Sequence, residues 1–363
     1  MIRAAPTILV AALATALQAG CSTSGTLGYY AQAVGGHLSI LAAAQPVERW
    51  IDDPATPPAL RERLELARRI RRFAASELHL PDNASYRRYA DLRRGAAVWN
   101  VVAAPELSLA LRTWCFPVLG CVGYRGYFDR ENAEALGAEL RSEGFDVAVY
   151  GVPAYSTLGW SNWLGGDPLL NTFIDWPEGE LAGLVFHELA HQVAYADDDT
   201  TFNESFATAV GRLGVERWLA RQAGPDARDA YERSERRRHE FRALVARYRA
   251  RLAALYESGA DDAEKRRGKA ELIDSLRSEY RTLRDGAWGG YAGYERWFAS
   301  VNNASFGVQA AYDELVPQFE RLFEREGRDD ARFYTEVARL AKLPRRERRE
   351  ALAASAGVAA ARP

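Results

Sequence analysis

Cysteine is nearly missing, with 3 in 363 residues, so the fold is no disulfide-stapled scaffold. A chain this long buries a sizeable core without such help. An excess of one charge is missing too. Lys+Arg 47 against Asp+Glu 49 leaves −2, which excludes a strongly basic nucleic-acid binder and an acidic disordered chain. Long apolar runs are confined to the extreme N-terminus. No internal repeat is visible, and 29 Gly and 15 Pro are ordinary for a globular protein. Histidine is scarce at 5, so a spaced pair of them is informative. With 48% hydrophobic and 26% charged residues, the chain reads as folded, in one large domain or two intimate ones.

The N-terminal run, Ala4–Leu17 behind Arg3, is about 14 residues, short of the roughly 20 that cross a bilayer as a helix. It reads as a secretory signal over residues 1–20. Gln18-Ala19-Gly20-Cys21 resembles a bacterial lipobox, although Gln18 stands where a branched apolar residue is usual. The resemblance implies lipidation of Cys21, a membrane anchor at the new N-terminus, and a periplasm-facing place in the cell envelope. Ser22, in place of an acidic residue, points by analogy to the outer membrane. Export would put Cys115 and Cys121 in an oxidising compartment, where a small disulfide loop is the preferred reading. A Cys–Cys metal site is the less suited alternative, since no further Cys completes it.

Along the chain, residues 21–95 read as an N-terminal helical segment, with a strong helical period over Pro58–Leu78. Residues 96–222 read as a core. It holds strands at Ala97–Ala103 and Phe145–Val152, a helix at Arg130–Glu143 stopped by Gly144, and helices at Glu178–Ala196 and Thr200–Gln222. Residues 223–345 read as helical, beginning with a charge-rich hairpin over Asp226–Asp285 that breaks near Ser258–Asp261. A further helix is expected from about Gln309 to Arg325. The Ala/Arg-rich residues 346–363 read as a frayed tail. The Arg-dense piece Arg236–Arg251 is interleaved with Glu and reads as a solvated helix face; no nucleic-acid partner is expected.

The sequence His187-Glu188-Leu189-Ala190-His191 is the HExxH zinc signature. Four residues turn a helix by about 400°, so both imidazoles leave one face, one turn apart. That spacing lets two neutral nitrogens reach one Zn²⁺. Glu188 lies about 100° round the helix, beside the metal, where it can take a proton from water as general base. A catalytic zinc wants a third ligand and an open position. With Asp198 as the centre of a reversal, His191 lies seven residues before it and Glu204 six after, so antiparallel helices bring them level. Glu204 is therefore the expected third ligand of a single zinc ion.

HExxH followed by Asn203-Glu204 and Phe206-Ala207 resembles the gluzincin metallopeptidases. More narrowly, the chain resembles a bacterial family of envelope lipoproteins described as predicted aminopeptidases. The match runs through Gly28-Tyr29-Tyr30, Cys121–Phe128, Ala154–Trp160, Phe186–Gln192, Phe202–Ala207 and Val301–Ala304. The resemblance implies an α+β, mainly helical fold: a zincin-like core, made of a small sheet, the zinc helix and an antiparallel glutamate helix, plus the long hairpin. It implies a zinc peptidase acting on peptide substrates. Gluzincin aminopeptidases carry a Gly-rich motif with an amine-binding Glu ahead of the zinc helix, and Tyr155–Gly166 has no Glu. Thr208 also stands where some gluzincins place a carboxylate that orients a ligand histidine.

For the tetrahedral oxyanion the candidate donor is Tyr312. Tyr155 and Thr157, in an extended segment, are candidates for pairing with the substrate backbone, and Asn302 and Asn303 for further substrate contact. Two competing readings are a binding or scaffold lipoprotein with a structural or relict metal site, and a zinc hydrolase of a non-peptide amide or ester. The intact Glu188 argues against the first, because a metal staple has no need of that carboxylate.

Overall fold

The computed structural model describes residues 26–116, 120–154, 165–309, 314–355 and 357. The fold is mainly helical with small sheets. After α1 (Thr26–Ala43), β1 (Gln45–Pro46) and α2 (Val47–Asp52), Pro58 opens α3 (Pro58–Glu77). Its missing N–H costs nothing at the first helical position. Leu64, Ala67, Ile70, Phe73 and Ala74 recur at the helical period and are buried. Phe73 meets Phe186 and Trp218, at centroid separations of 6.1 and 5.2 Å, so α3 forms the back support of the two helices described below.

Two three-stranded sheets follow. β2 (Arg88–Ala90) pairs antiparallel with β1 and parallel with β8 (Leu169–Leu170). In the other sheet, β3 (Val98–Pro105) lies between β6 (Arg125–Tyr127) and β7 (Phe145–Val152), in register from Val98 against Val152 to Pro105 against Phe145. Alternation along β3 sends Val101 and Ala103 toward α4 (Arg130–Ser142), where they meet Ala133 and Leu140. Val102 and Ala104 point to the other face, toward Ala304. Between β3 and β6, a small hairpin of β4 (Trp114–Phe116) and β5 (Gly120–Val122) is closed by the Cys115–Cys121 disulfide.

The centre of the molecule is an antiparallel pair, α5 (Glu178–Ala190) and α6 (Thr200–Arg221). The sequence predicts the first helix as far as Ala196, but it ends at Ala190. Asn203 accounts for the difference: its side chain accepts from Ala196 N and donates to Ala196 O, both at 2.8 Å. Those backbone groups are satisfied by a side chain rather than by another helical turn. Asp199 then caps α6, accepting from Phe202 N at 3.1 Å.

The expected hairpin is present as α7 (Pro225–Glu257) and α8 (Asp262–Asp285), with Asp261 and Glu264 forming a capping box at the start of α8. It has its own small core, in which Phe241, Leu244, Tyr248 and Leu252 meet Leu276 and Tyr280. Short α9 (Glu295–Ser300) adds Phe298, stacked on Tyr280 at 4.0 Å between centroids. Then come α10 (Asn303–Gln309), α11 (Val316–Arg325) and α12 (Asp330–Ala341); of the helix expected from about Gln309 to Arg325, the part from Val316 is present as α11, and Glu314 and Leu315 before it form a turn.

The tail expected to fray is, over Arg345–Ser355, a docked helix, α13. Leu352 is fully buried and Arg348 is 3% exposed. Arg348 donates to Leu343 O at 2.7 Å and to Asp199 at 3.2 Å, and Arg349 adds a bond to Asp199 at 2.8 Å. Composition reads these arginines as part of a frayed tail, whereas a buried carboxylate about 150 residues away in sequence holds them. Among the described residues, no helix is long and apolar enough to cross a membrane.

Candidate metal centre

Close approach of α5 and α6 builds the site. A Cβ on Gly211 would stand 3.1 Å from the Gly183 carbonyl oxygen, so glycine at this crossing lets the helices come together. Leu181, Ala182, Val185, Phe186 and Leu189 bury the apolar faces of α5. Glu180, Leu184, His187 and His191 recur at spacings of four, three and four, and so line one open stripe. His187 Nε2 and His191 Nε2 converge to 3.2 Å. Glu204, in the first turns of α6, brings Oε2 to 3.3 Å from His187 Nε2 and 3.7 Å from His191 Nε2.

The donor set fits a divalent ion. One ligand atom from each of the three side chains lies within 4.8 Å of the others, and two imidazole nitrogens with one carboxylate oxygen suit zinc. Metal ligation wants neutral imidazole and ionised carboxylate. Burial drives the His191 pKa down to about 4, against the charge of Glu204, so that ring is neutral. Burial would raise Glu204, but the hydrogen bond from His187 and electrostatic attraction to the two imidazoles hold it below the usual carboxylate range. At His187, burial works downward and is outweighed by Glu204 and Glu188, which raise it. The Nδ1 of His191 is buried without a hydrogen-bond partner among the described residues. No carboxylate among the described residues reaches that nitrogen, in keeping with Thr208 where some gluzincins carry one.

The three ligands sit in a cleft of about 1150 Å³ whose walls also include Glu188, Tyr124 and Tyr195. Tyr124 comes from the turn between β5 and β6, and Tyr195 from the turn between α5 and α6. Burial, and then the negative charge of Glu204, push both phenols upward, so both stay protonated hydrogen-bond donors. Farther along the cleft, Glu180 lies 3.5 Å from Arg238 of α7, with Arg212 and Arg242 also on the walls. Arg238 and Arg242 belong to the Arg-dense piece that the sequence reads as a solvated face, yet both line the cleft, whereas Glu180, Arg212 and the two tyrosines carry no such mark in the sequence. For Glu180, the −7 spacing from His187 was the available signal.

The sequence-derived candidates divide sharply. His187, Glu188, His191 and Glu204 come together in the cleft. Asn302 and Asn303, the candidates for substrate contact, are not among the residues that line it. Asn303 is fully buried, donates to Pro105 O and Glu106 O, and accepts from Tyr256 OH at 2.8 Å. Asn302 donates to Val147 O at 2.9 Å. The pair fastens the β3–β7 sheet to the helical hairpin. Tyr155, Thr157, Tyr312 and Cys21 lie outside the described residues.

A protein-family model described as "Putative aminopeptidase" matches residues 28–352. No curated protein and no solved structure matches the chain. The match takes in both histidines and Glu204, Glu188 between them, the sheet and the long hairpin. Covered over most of its length, the chain belongs to this Putative aminopeptidase family.

Proposed function

We propose that the protein is a zinc-dependent peptidase, an aminopeptidase by its family, in which His187, His191 and Glu204 hold the metal. The observation that carries this reading is the convergence of two imidazole nitrogens and one carboxylate oxygen within 4.8 Å, inside a cleft that also holds Glu188. A divalent ion there supplies Lewis-acid chemistry, polarising a carbonyl and acidifying water. Glu188 accepts the proton of the attacking water and delivers it to the leaving amine. Tyr124 and Tyr195, protonated and on the cleft wall, are the donors available to the oxyanion that forms, in addition to the sequence candidate Tyr312. Glu180 and the arginines at the far end meet the charged parts of a peptide. The lipobox-like Gln18–Cys21 supports a lipid anchor through Cys21 and work on the periplasmic side of the cell envelope, at the outer membrane.

The test is hydrolysis of a panel of amino-acyl and internally quenched fluorogenic peptides by the wild-type protein and its Glu188→Gln variant, with metal content measured on both. Turnover by the wild type, lost in the variant while metal stays bound, supports the reading. A product ladder starting at the free N-terminus identifies an aminopeptidase, and internal cuts replace that term with endopeptidase. Bound metal without turnover of any amide sinks the enzymatic reading and leaves the scaffold.

A further inference from the structure

Behind the metal-bearing helix lies a second pocket of about 610 Å³, set between α2, α3 and residues 81–87. Arg68, Arg71, Arg72 and Arg87 line it, against only Glu48 and Asp82. Arg68, Arg71 and Arg72 share one face of α3, at spacings of three and four residues. Asp82 is taken by Arg71 and Arg87, at 3.3 and 2.5 Å, whereas among the described residues no carboxylate pairs with Arg68 or Arg72. The Arg71 side chain is 4% exposed, and its Nη1 is buried with no acceptor among the described residues. Arg68 and Arg72, which line the pocket without a carboxylate among the described residues, are the guanidinium groups that an oxyanion there would meet.

The pocket is wired to the metal centre. Arg71 donates to Ser85 O at 3.0 Å and Pro81 O at 2.8 Å, so the 81–86 segment folds around its side chain. From that segment, Asn83 bonds Gln192 at 2.6 Å, and Gln192, which follows the metal ligand His191, reaches back to Ser85 Oγ at 3.2 Å. Tyr86 ends the segment in the left-handed region, at φ +63°, a conformation a bulky aromatic adopts only where its surroundings impose it. Its buried ring forms part of the pocket wall and lies within the electric field of Glu188.

We propose that this arginine pocket binds a small free tetrahedral oxyanion, with inorganic phosphate as the representative ligand, and that the bound anion stiffens the 81–86 segment behind the metal helix. The charge excess of the pocket and the hydrogen-bonded route from Arg71 through the 81–86 segment to Gln192 meet at one place. The inference does not depend on the protein being a peptidase.

The test is calorimetric titration of the metal-containing protein with inorganic phosphate, with chloride at matched ionic strength as the control. The expected result is saturable binding of one phosphate per chain, weakened about tenfold or more by Arg72→Gln, an exposed position that leaves the fold intact, and further by adding Arg68→Gln. Arg212→Gln, in the metal cleft, leaves it unchanged. Phosphate also slows amide exchange at residues 83–86 and 188–192. Absence of saturation overturns the proposal, and so does binding indifferent to Arg72→Gln or abolished by Arg212→Gln. Binding without slower exchange at either segment removes the coupling to the metal helix.

Discussion

Two antiparallel helix pairs in this protein are built on opposite plans. The α5–α6 pair is largely buried, crosses at Gly183 and Gly211, and presents Glu180, His187, Glu188, His191 and Glu204 to one cleft. The α7–α8 pair keeps a thin core and exposes a charged surface, tied to the sheet by a bond such as Lys269 to Asp146 at 2.6 Å. In the first pair, polar groups lie where burial makes them costly, which is expected where they have chemical work. In the second, charges lie where water screens them and each contributes little. One plan builds a site, and the other builds a support for the cleft wall.

Substitutions can break that contrast, beginning with the largest expected effect. Glu188→Gln should lower kcat about a thousandfold, the middle of the range for a positioned general base, with metal content unchanged. Steady-state peptide hydrolysis beside elemental analysis checks it, and a small loss of rate would strip Glu188 of its role. Asp199→Ala removes the cap of α6 and the carboxylate that holds Arg349, leaving Arg348 with Asp198 alone, for about 3 kcal/mol in chemical denaturation. Burial alone would raise the Asp199 pKa, but the Arg349 hydrogen bond and charge hold it below its ordinary value. A folded pKa lower than the unfolded one gives stability that is complete above the unfolded value of about 3.9 and is lost as pH falls through the folded one. Acid unfolding of the wild type should therefore show a component below pH 4 that the Asp199→Ala variant lacks.

In the other pair, Leu252→Ala opens a cavity in the hairpin core and should cost about 2–3 kcal/mol. Its metal content and its KM and kcat at low temperature should stay at wild-type values. Loss of metal in this variant would show that the two pairs are one functional unit and would erase the comparison. Tyr124→Phe should give the smallest change, roughly a tenfold fall in kcat with KM held, the loss of one hydrogen bond from a phenol that shares the oxyanion with a second donor.

How much of this was legible in the sequence follows from the same contrast. Period and motif carried far where the determinants are local: the His187–His191 spacing, the strand Phe145–Val152, and the hairpin with its break at Ser258–Asp261. Even the level pairing of Glu204 with His191 followed from counting across a short reversal. Long-range partnerships were not legible. Arg348 and Arg349 look like part of a frayed tail by composition and are held by Asp199. Asn302 and Asn303 look like free polar groups near a site and are spent on backbone carbonyls of the sheet and its edge. Tyr124 and Tyr195 enter the cleft from turns, where no periodicity marks which way a side chain faces. Helix α5 stopped short because Asn203, in the next helix, takes over the backbone groups of Ala196.

The central claim is that His187, His191 and Glu204 grip one divalent ion. X-ray absorption at the zinc edge, on protein loaded with one equivalent of zinc, tests it most directly. The account expects two imidazole nitrogens and a carboxylate oxygen at about 2.0–2.2 Å, with the oxygen and most of the affinity lost in Glu204→Ala. An unchanged spectrum and undiminished zinc binding in that variant would contradict it.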